Sequence, residues 1–148
     1  MPYDTLKLAH VGGVSWITLD RPPVNAVTVQ LLEELLHALD TLEGRNQTRC
    51  IVRAGAGTKA FCAGADLSAS AGSQAHGNNR FRALGRAALD RVETHPKPVF
   101  GALRGWCIAG GLAQALETRW AELNDASQDC QEGKAAFREK RTPVFKGL

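Results

Sequence analysis

Several patterns that identify metal sites and nucleic-acid-binding proteins are missing from this chain of 148 residues. Its four cysteines form no C-x-x-C pair, and its four histidines have no metal-ligand spacing with one another or with cysteine. We therefore expect no metal site. The 18 basic and 15 acidic residues give a net charge of +3 that is spread along the chain, which does not indicate a nucleic-acid partner.

Long apolar runs are also missing, since no window reaches the length needed to span a bilayer. The first residues lack the basic segment and apolar run of a secretory signal. We expect neither membrane insertion nor secretion. The four cysteines (Cys50, Cys62, Cys107 and Cys130) lie mostly among apolar neighbours, as buried reduced thiols do, which predicts a reducing cytoplasm.

What is present predicts a single globular α/β domain that begins with a β-hairpin. The length and the 44% hydrophobic fraction suit one domain that can bury a core. Apolar residues alternate from Leu6 to His10 and again from Val14 to Leu19, with Gly12-Gly13 between them. This pattern is typical of two antiparallel strands joined by a tight turn.

The clearest predicted helix follows the prolines after this hairpin. It begins near Thr28 and ends at Gly44, and we expect Glu33 and Glu34 in its positive first turn. Leucines occur at a helical spacing that predicts a core-facing surface. They are Leu31, Leu32, Leu35, Leu36, Leu39 and Leu42.

Two turns rich in small residues each follow an apolar strand. The turn Ala60–Leu67 (AFCAGADL) follows a strand predicted over Cys50–Ala54, and Gly105–Gly111 (GWCIAGG) follows an apolar run over Pro98–Leu103 and leads into a helix. Small side chains leave backbone amides open to a ligand. Two such amides suit the stabilisation of a carbonyl oxygen that gains negative charge.

Gly55–Ala60 matches G-x-G-x-x-A, the glycine pattern of dinucleotide sites. That pattern must open a helix and be followed by an acidic residue about twenty positions later. Phe61, Cys62 and Ala63 continue without helical periodicity, and no acid lies near position 75. We therefore interpret the match as accidental.

The remainder of the chain alternates loops and helices. Residues 68–79, which include His76, predict a polar loop with a solvated histidine, and Phe81 to Val92 carry a helical stripe. Further helices are predicted over Gly110–Leu123 and Asp129–Arg141. The two copies of strand, small-residue turn and helix suggest a repeated layered unit.

Four stretches resemble the crotonase or enoyl-CoA hydratase/isomerase superfamily, and they occur in family order. They are LDRPPVNAV (19–27), KAFCAGADL (59–67), KPVFGALRGWCIAGG (97–111) and DCQEGKAAFREKRTPVFKG (129–147). The resemblance implies a ClpP/crotonase-like spiral of strand–strand–helix repeats over 1–112, followed by a C-terminal helical segment over 113–148. It also implies assembly into trimers and an acyl-CoA thioester as substrate, with no cofactor beyond the coenzyme A that the substrate carries.

By position, the resemblance assigns the oxyanion hole to the backbone amides of Ala65 and Gly110. Adding a nucleophile to an enoyl thioester, or removing its α-proton, puts charge on the thioester oxygen, which two fixed amides stabilise. The resemblance further assigns coenzyme A contacts to seven positions. They are Asn25, Ala26, Val27, Ala63, Asp66, Phe137 and Lys140.

The sequence departs from the family pattern where the catalytic glutamates are expected. The first glutamate's position is occupied by Ala113, and the second falls in a central block that this chain lacks, with the apparent junction at Leu112–Leu116. Glu117 and Asp66 are conceivable substitutes, although a solvated and a structural role suit them better. Loss of that block predicts exposed apolar surface and self-association.

Three hypotheses follow from this sequence. The chain is an enzyme of the enoyl-CoA hydratase or isomerase type, or a module that binds acyl-CoA or joins oligomers of a longer relative without turnover, or an inactive form with an internal deletion. Conversion of crotonyl-CoA and calorimetric binding of acyl-CoA separate the first two.

Overall fold

The computed structural model describes residues 3–66 and 75–108, together with five single positions near the end of the chain: Glu132, Ala135, Glu139, Arg141 and Val144. Three successive units follow one another within the two ranges. The first unit contains β1 (Leu6–Val11), β2 (Val14–Leu19) and α1 (Val29–Glu43). The second contains β3 (Cys50–Gly55), β4 (Ala60–Cys62) and α2 (Ala75–Glu93), and the third begins with β5 (Val99–Ala102) and β6 (Trp106–Cys107). The expected repetition of strand, strand and helix is confirmed.

The main sheet has four strands in the order β1-β2-β3-β5. The predicted hairpin is confirmed, and Gly12 and Gly13 turn it with φ angles of 57° and 88°, which glycine adopts at little cost. β3 pairs in parallel with β2, and β5 pairs in parallel with β3. A second, parallel pair is formed by β4 and β6. Each unit therefore contributes its first strand or strands to one sheet, and the later units contribute their second strand to the other.

Helix α1 supplies much of the core, as its leucine pattern predicts. Thr28 caps its start, because the Thr28 Oγ1 accepts a hydrogen bond from Leu31 N at 3.2 Å. The helix ends before Gly44. The buried face packs in one cluster with side chains from the first and second units. The helix contributes Leu31, Leu32, Leu35, Ala38, Leu39 and Leu42, and the strands contribute Ile17, Leu19, Ile51 and Phe61.

The expected position of Glu33 and Glu34 in the first turn of α1 is wrong, because the helix begins at Val29 and that turn contains no acidic residue. The Glu34 carboxylate instead accepts hydrogen bonds from Thr5 N at 2.9 Å and from Thr5 Oγ1 at 2.7 Å. Burial raises the pKa of Glu34, but these hydrogen bonds outweigh burial and hold the pKa below its ordinary value. Glu34 thus fastens the segment before β1 to the helix.

Charged groups join α1 to the elements that follow it. The Arg91 guanidinium on α2 pairs with Asp40 at 2.7 Å. The Lys97 ammonium donates hydrogen bonds to the carbonyl oxygens of Leu42 at 2.6 Å and Arg45 at 2.8 Å. A cation is favourable at this end of a helix, where carbonyl groups lack partners and the dipole is negative.

The loop expected over 68–79 is wrong for residues 75–79, which form the first turns of α2. The backbone of His76, Gly77 and Asn78 is helical although glycine and asparagine have low helix propensity. Downstream, Phe81 and Leu84 pack against the core, and such packing supports the extension of a helix beyond its best-suited residues. Residues 67–74 lie outside the described ranges.

The C-terminal helices expected over Gly110–Leu123 and Asp129–Arg141 fall outside the two described ranges, as does the expected boundary between 112 and 113. Three single positions within them, Glu132, Ala135 and Glu139, have helical backbone. Of the helical segments that the structure does describe, none has the length and apolar character required to cross a membrane.

Candidate functional site

The two small-residue turns expected from the sequence are in part strands. Ala60–Cys62 forms β4 and Trp106–Cys107 forms β6, and these two strands pair with each other. Strands of two or three residues are too short to show an alternating pattern, so the sequence did not reveal them. Of the first turn, Ala63 to Asp66 remain as irregular backbone in the described part.

The glycine pattern Gly55–Ala60 connects β3 to β4. A dinucleotide fingerprint instead leads from a strand into a helix, whose N-terminus binds the pyrophosphate. The strand at Ala60 removes that context, in agreement with the interpretation of the match as accidental.

The backbone after β4 is fastened to the loop after β2 by three hydrogen bonds. Ala63 N donates to Val24 O at 3.0 Å, Val27 N donates to Gly64 O at 2.7 Å, and Asp66 N donates to Val27 O at 2.9 Å. The two segments, 24–27 and 63–66, therefore form one surface. These are the segments in which the resemblance assigns coenzyme A contacts and the first oxyanion donor.

The direction of the Ala65 amide follows from this pairing. Val27 and Ala65 form a parallel bridge in which Val27 bonds to the residues on either side of Ala65. In such a bridge the N–H and C=O of Ala65 itself point away from Val27. Ala65 is exposed, and its N–H has no hydrogen-bond acceptor within residues 3–66 and 75–108. The Ala65 N–H is therefore a main-chain donor that points away from the bridge between the two loops.

The buried Asn25 side chain links the loop after β2 to the backbone around β4 by hydrogen bonds. Asn25 is 2% exposed and has a φ of 53°, a left-handed conformation that asparagine tolerates better than most residues. Its Nδ2 lies 3.0 Å from Ala60 O and 3.2 Å from both Ala56 O and Phe61 O, while its Oδ1 accepts from Arg21 N at 3.0 Å. The Asn25 side chain is committed to the protein backbone, so any ligand contact at this position would use main-chain atoms.

An ion pair that sequence reasoning missed crosses the same surface. The Arg21 Nη2 lies 2.5 Å from Asp66 Oδ2, and Arg21 Nη1 also donates to Ala26 O at 3.3 Å. The Asp66 side chain is 12% exposed, and the Arg21 side chain is 34% exposed. A half-buried pair of this kind positions both loops. Asp66 is thus engaged by a cation, which agrees with its expected structural role.

A cleft opens beside these loops. It has a volume of about 460 Å³ and is lined by Pro23, Val24, Lys59 and Trp106. The Trp106 side chain is 64% exposed, and Trp106 N donates to Lys59 O at 2.9 Å. Gly105 permits this approach, because a Cβ at that position would lie 2.2 Å from Lys59 O. An aromatic face and an ammonium group therefore border one concave surface.

Neither Lys59 nor Trp106 was singled out from the sequence, although both lie in stretches that carry the family resemblance. Sequence reasoning overlooked them because a lone exposed lysine and tryptophan have no spacing signal of their own. The structure brings the segments 25–27 and 63–66 together, with Val27 buried and Ala26 and Ala63 half-buried. The other assigned positions, Gly110, Phe137 and Lys140, lie outside the described residues, as do Ala113 and Glu117.

The described ranges contain no group of three or more histidine, cysteine, aspartate and glutamate side chains that could hold a metal ion. Within the described residues, the groups that border the cleft and the two loops include the Lys59 ammonium, the Trp106 ring and the outward-directed Ala65 amide. These groups can bind a ligand that carries acceptor oxygens and apolar surface.

Comparison with known proteins gives consistent results. The short-chain-enoyl-CoA hydratase of Clostridium acetobutylicum is 28% identical over 148 residues, covering 99% of this chain and 56% of the relative. A protein of Bacillus subtilis named probable enoyl-CoA hydratase is 30% identical over 145 residues, covering 97% of this chain and 55% of its own length. The crystal structure of enoyl-CoA hydratase from Thermoplasma volcanium GSS1 has a TM-score of 0.70 and 32% identity, covering 75% of this chain and 44% of that one.

The chain thus spans about half the length of the curated relatives that it matches. The sequence profile of the enoyl-CoA hydratase/isomerase family matches residues 10–127. The resemblance drawn from the four stretches and the expected crotonase fold, in shortened form, are confirmed. This chain belongs to the enoyl-CoA hydratase/isomerase family.

Proposed function

We propose that this chain binds an acyl-CoA thioester and stabilises its enolate with the backbone amides of Ala65 and Gly110. The observation that carries the proposal is the Ala65 N–H, which the bridge to Val27 directs away from the protein's own hydrogen bonds. Preorganised amides are the donors that thioester enolates require, because they need no rearrangement when charge develops. The names of the relatives support an enoyl-CoA as the ligand class.

In the proposed reaction, the oxygen of water bonds to the β-carbon of a 2-enoyl thioester. The electron pair of the double bond moves toward the carbonyl, whose oxygen becomes the negative oxygen of the enolate. The added water loses one proton and one proton adds to the α-carbon, so that the net change is the addition of one water. The two amides stabilise the enolate. By the family resemblance, the position of the first glutamate is that of Ala113, whose methyl group cannot transfer a proton. We therefore expect turnover far slower than that of a member with both glutamates.

The cleft beside the loops suits the remainder of such a ligand. The Trp106 ring offers an aromatic face, and the Lys59 ammonium offers a positive charge near an anionic group. Pro23 and Val24 supply the apolar wall. Asn25, Arg21 and Asp66 position the loops without contacting the reacting carbonyl.

Titration calorimetry with a matched pair of ligands tests the proposal. Butyryl-CoA carries the thioester carbonyl, whereas S-butyl-CoA replaces it with a methylene group. We expect the chain to prefer the thioester by about tenfold, the contribution of one or two net hydrogen bonds. Ala65→Pro, which removes one of the two amide hydrogens, should reduce the preference, and Ala65→Gly, which keeps that hydrogen, should retain it.

Equal affinity of the unsubstituted chain for the two ligands would count against an oxyanion hole. A second candidate function, binding without turnover, is favoured by the alanine at position 113. Incubation with crotonyl-CoA separates the candidates. Thioester preference with no hydrated product favours the binding module, and a product rate that falls in Ala65→Pro but not in Ala65→Gly favours the enzyme.

We further propose that the chain self-associates in the cytoplasm, as the trimer-based family resemblance predicts. Apolar side chains of the third unit support self-association, because Phe100 is 56% exposed, Trp106 is 64% exposed and Ile108 is 50% exposed. A contiguous exposed apolar patch larger than several hundred Å² is uncommon on a monomer. Sedimentation velocity of the full chain tests the proposal, and a monomer at all concentrations would refute it.

A further inference from the structure

The pairing of β4 with β6 places two cysteines opposite each other. The register of this parallel pair shifts between Ala60 and Cys62, and after the shift Cys62 is the partner of Cys107, with Ile108 N donating to Cys62 O at 3.1 Å. Neighbouring strands lie roughly 4.7–4.9 Å apart. That spacing falls within the range of about 4.4–6.8 Å between Cα atoms that a disulfide bridges. Both thiols are free in this structure.

The surroundings of the two thiols differ in a way that suits stepwise oxidation. Cys62 is 0% exposed, whereas Cys107 is half-buried. Both thiols interact electrostatically with Arg53, a 2% exposed residue of β3 whose guanidinium lies 5.9 Å from the centre of the Phe61 ring. The charge of one buried guanidinium therefore acts on both sulfur atoms.

The protonation of this group follows from burial and from charge. Burial raises the pKa of the Cys62 thiol and that of the Cys107 thiol, and the positive charge of Arg53 opposes the rise at both. Burial also lowers the pKa of Arg53 to about 10, against the opposing effect of the two sulfur atoms. Arg53 thus remains protonated at neutral pH and offsets part of the rise in the pKa of both thiols, whose thiolate forms are the ones that react in disulfide exchange.

We propose that Cys62 and Cys107 form a redox-sensitive dithiol site that closes to an intrachain disulfide by exchange with a small disulfide such as oxidised glutathione. The more accessible Cys107 thiolate attacks one glutathione sulfur, forms a mixed disulfide and releases one glutathione thiolate. The Cys62 thiolate then attacks the Cys107 sulfur and releases the second. The protein loses two electrons and two protons, and oxidised glutathione becomes two reduced molecules.

Closure would act on the loop that carries Ala65. Cys62 directly precedes Ala63, and its sulfur accepts a hydrogen bond from the backbone amide of Gly64. Joining Cys62 to Cys107 would convert the thiol sulfur that accepts from Gly64 into a disulfide sulfur and weaken that hydrogen bond. The inference stands on the strand register rather than on the proposed function, so the two succeed or fail separately.

Peptide mapping of the full chain tests the site without any acyl-CoA. The chain is incubated with oxidised glutathione, alkylated with N-ethylmaleimide under denaturing conditions and digested with trypsin. Because arginine and lysine separate all four cysteines, Cys62 lies on peptide 60–80 and Cys107 on peptide 105–119. We expect these two peptides to be joined, the titratable thiols to fall from four to two per chain, and dithiothreitol to reverse both changes.

Matched variants keep the test decisive. Cys50→Ser should leave the joined peptides unchanged, whereas Cys107→Ser should abolish them and leave Cys62 as the alkylated thiol or as a glutathione adduct. Three results in the unsubstituted chain would overturn the proposal. They are a stable glutathione adduct on Cys107 alone, a bridge that involves Cys50 or Cys130, and the persistence of all four thiols.

Discussion

The first and third units each contain two strands but differ in how those strands pair and in how deeply they are buried. In the first unit, Ser15, Ile17 and Leu19 of β2 are buried, and Ile17 and Leu19 pack in one cluster with leucines of α1. In the third unit, Phe100 of β5 and Trp106 of β6 are each more than half exposed. Strands with apolar side chains can therefore differ in burial, which depends on the elements that pack against them. Among the described residues, the third unit carries the exposed apolar side chains on which the proposed self-association rests.

The largest expected effect contrasts a leucine from each region. Leu35→Ala removes a side chain that is 0% exposed, whereas Leu103→Ala removes one that is 48% exposed. We expect Leu35→Ala to lower the free energy of unfolding by about 2–5 kcal/mol, because it leaves a cavity in the core. Leu103→Ala should change it by no more than about 0.5 kcal/mol. Urea unfolding measures both, and equal losses would contradict the comparison.

A second prediction concerns Asn25, which ties the first unit to the second. Asn25→Ala leaves the buried carbonyl groups without their donor, at a cost of roughly 1–3 kcal/mol. It also places alanine at a φ of 53°, which adds roughly 1–2 kcal/mol. Asn25→Gly bears only the first cost. Urea unfolding of the two variants should therefore separate them, and identical stabilities would show that backbone conformation contributes nothing here.

The hairpin and α1 could be predicted from the sequence because their signals are local. Gly12-Gly13 lies between alternating strands, and the leucine spacing and Thr28 define the helix within one stretch of chain. The Arg21–Asp66 pair and the clamp by Asn25 were missed because they join residues that are 31 to 45 positions apart. The proposed site residues came from the four stretches that resemble the family, because periodicity alone did not indicate them.

A third prediction tests whether the exposed Trp106 side chain takes part in self-association. Trp106→Ala should weaken self-association by about tenfold, because aromatic anchors contribute most at interfaces. Its stability as a single chain should not change, since the side chain is largely exposed. Val11→Ala, at an exposed position of the first unit, is the control and should leave the association constant unchanged. Sedimentation velocity over a concentration series measures the association constants. Equal effects of both variants would contradict the prediction.

The smallest expected effect is the pH dependence due to Glu34. Its pKa is lowered in the folded state, so its contribution to stability is present above the ordinary value of 4.5 and is lost as pH falls through the folded-state pKa. Glu34→Gln should therefore be less stable than the unsubstituted chain near neutral pH, and the difference should shrink in acid. Glu93→Gln, at an exposed position of α2, is the control. Thermal unfolding from neutral to acidic pH measures both, and a difference that grows in acid would contradict the assignment.

The vibrational frequency of a bound thioester tests the central claim most directly. Butyryl-CoA labelled with carbon-13 at the carbonyl is observed free in buffer and bound to the chain, by isotope-edited infrared spectroscopy. If Ala65 and Gly110 polarise this carbonyl, its stretching frequency falls on binding. In Ala65→Pro the frequency should return toward the buffer value, while Ala65→Gly should retain the shift. A bound carbonyl with the frequency found in buffer would contradict the account.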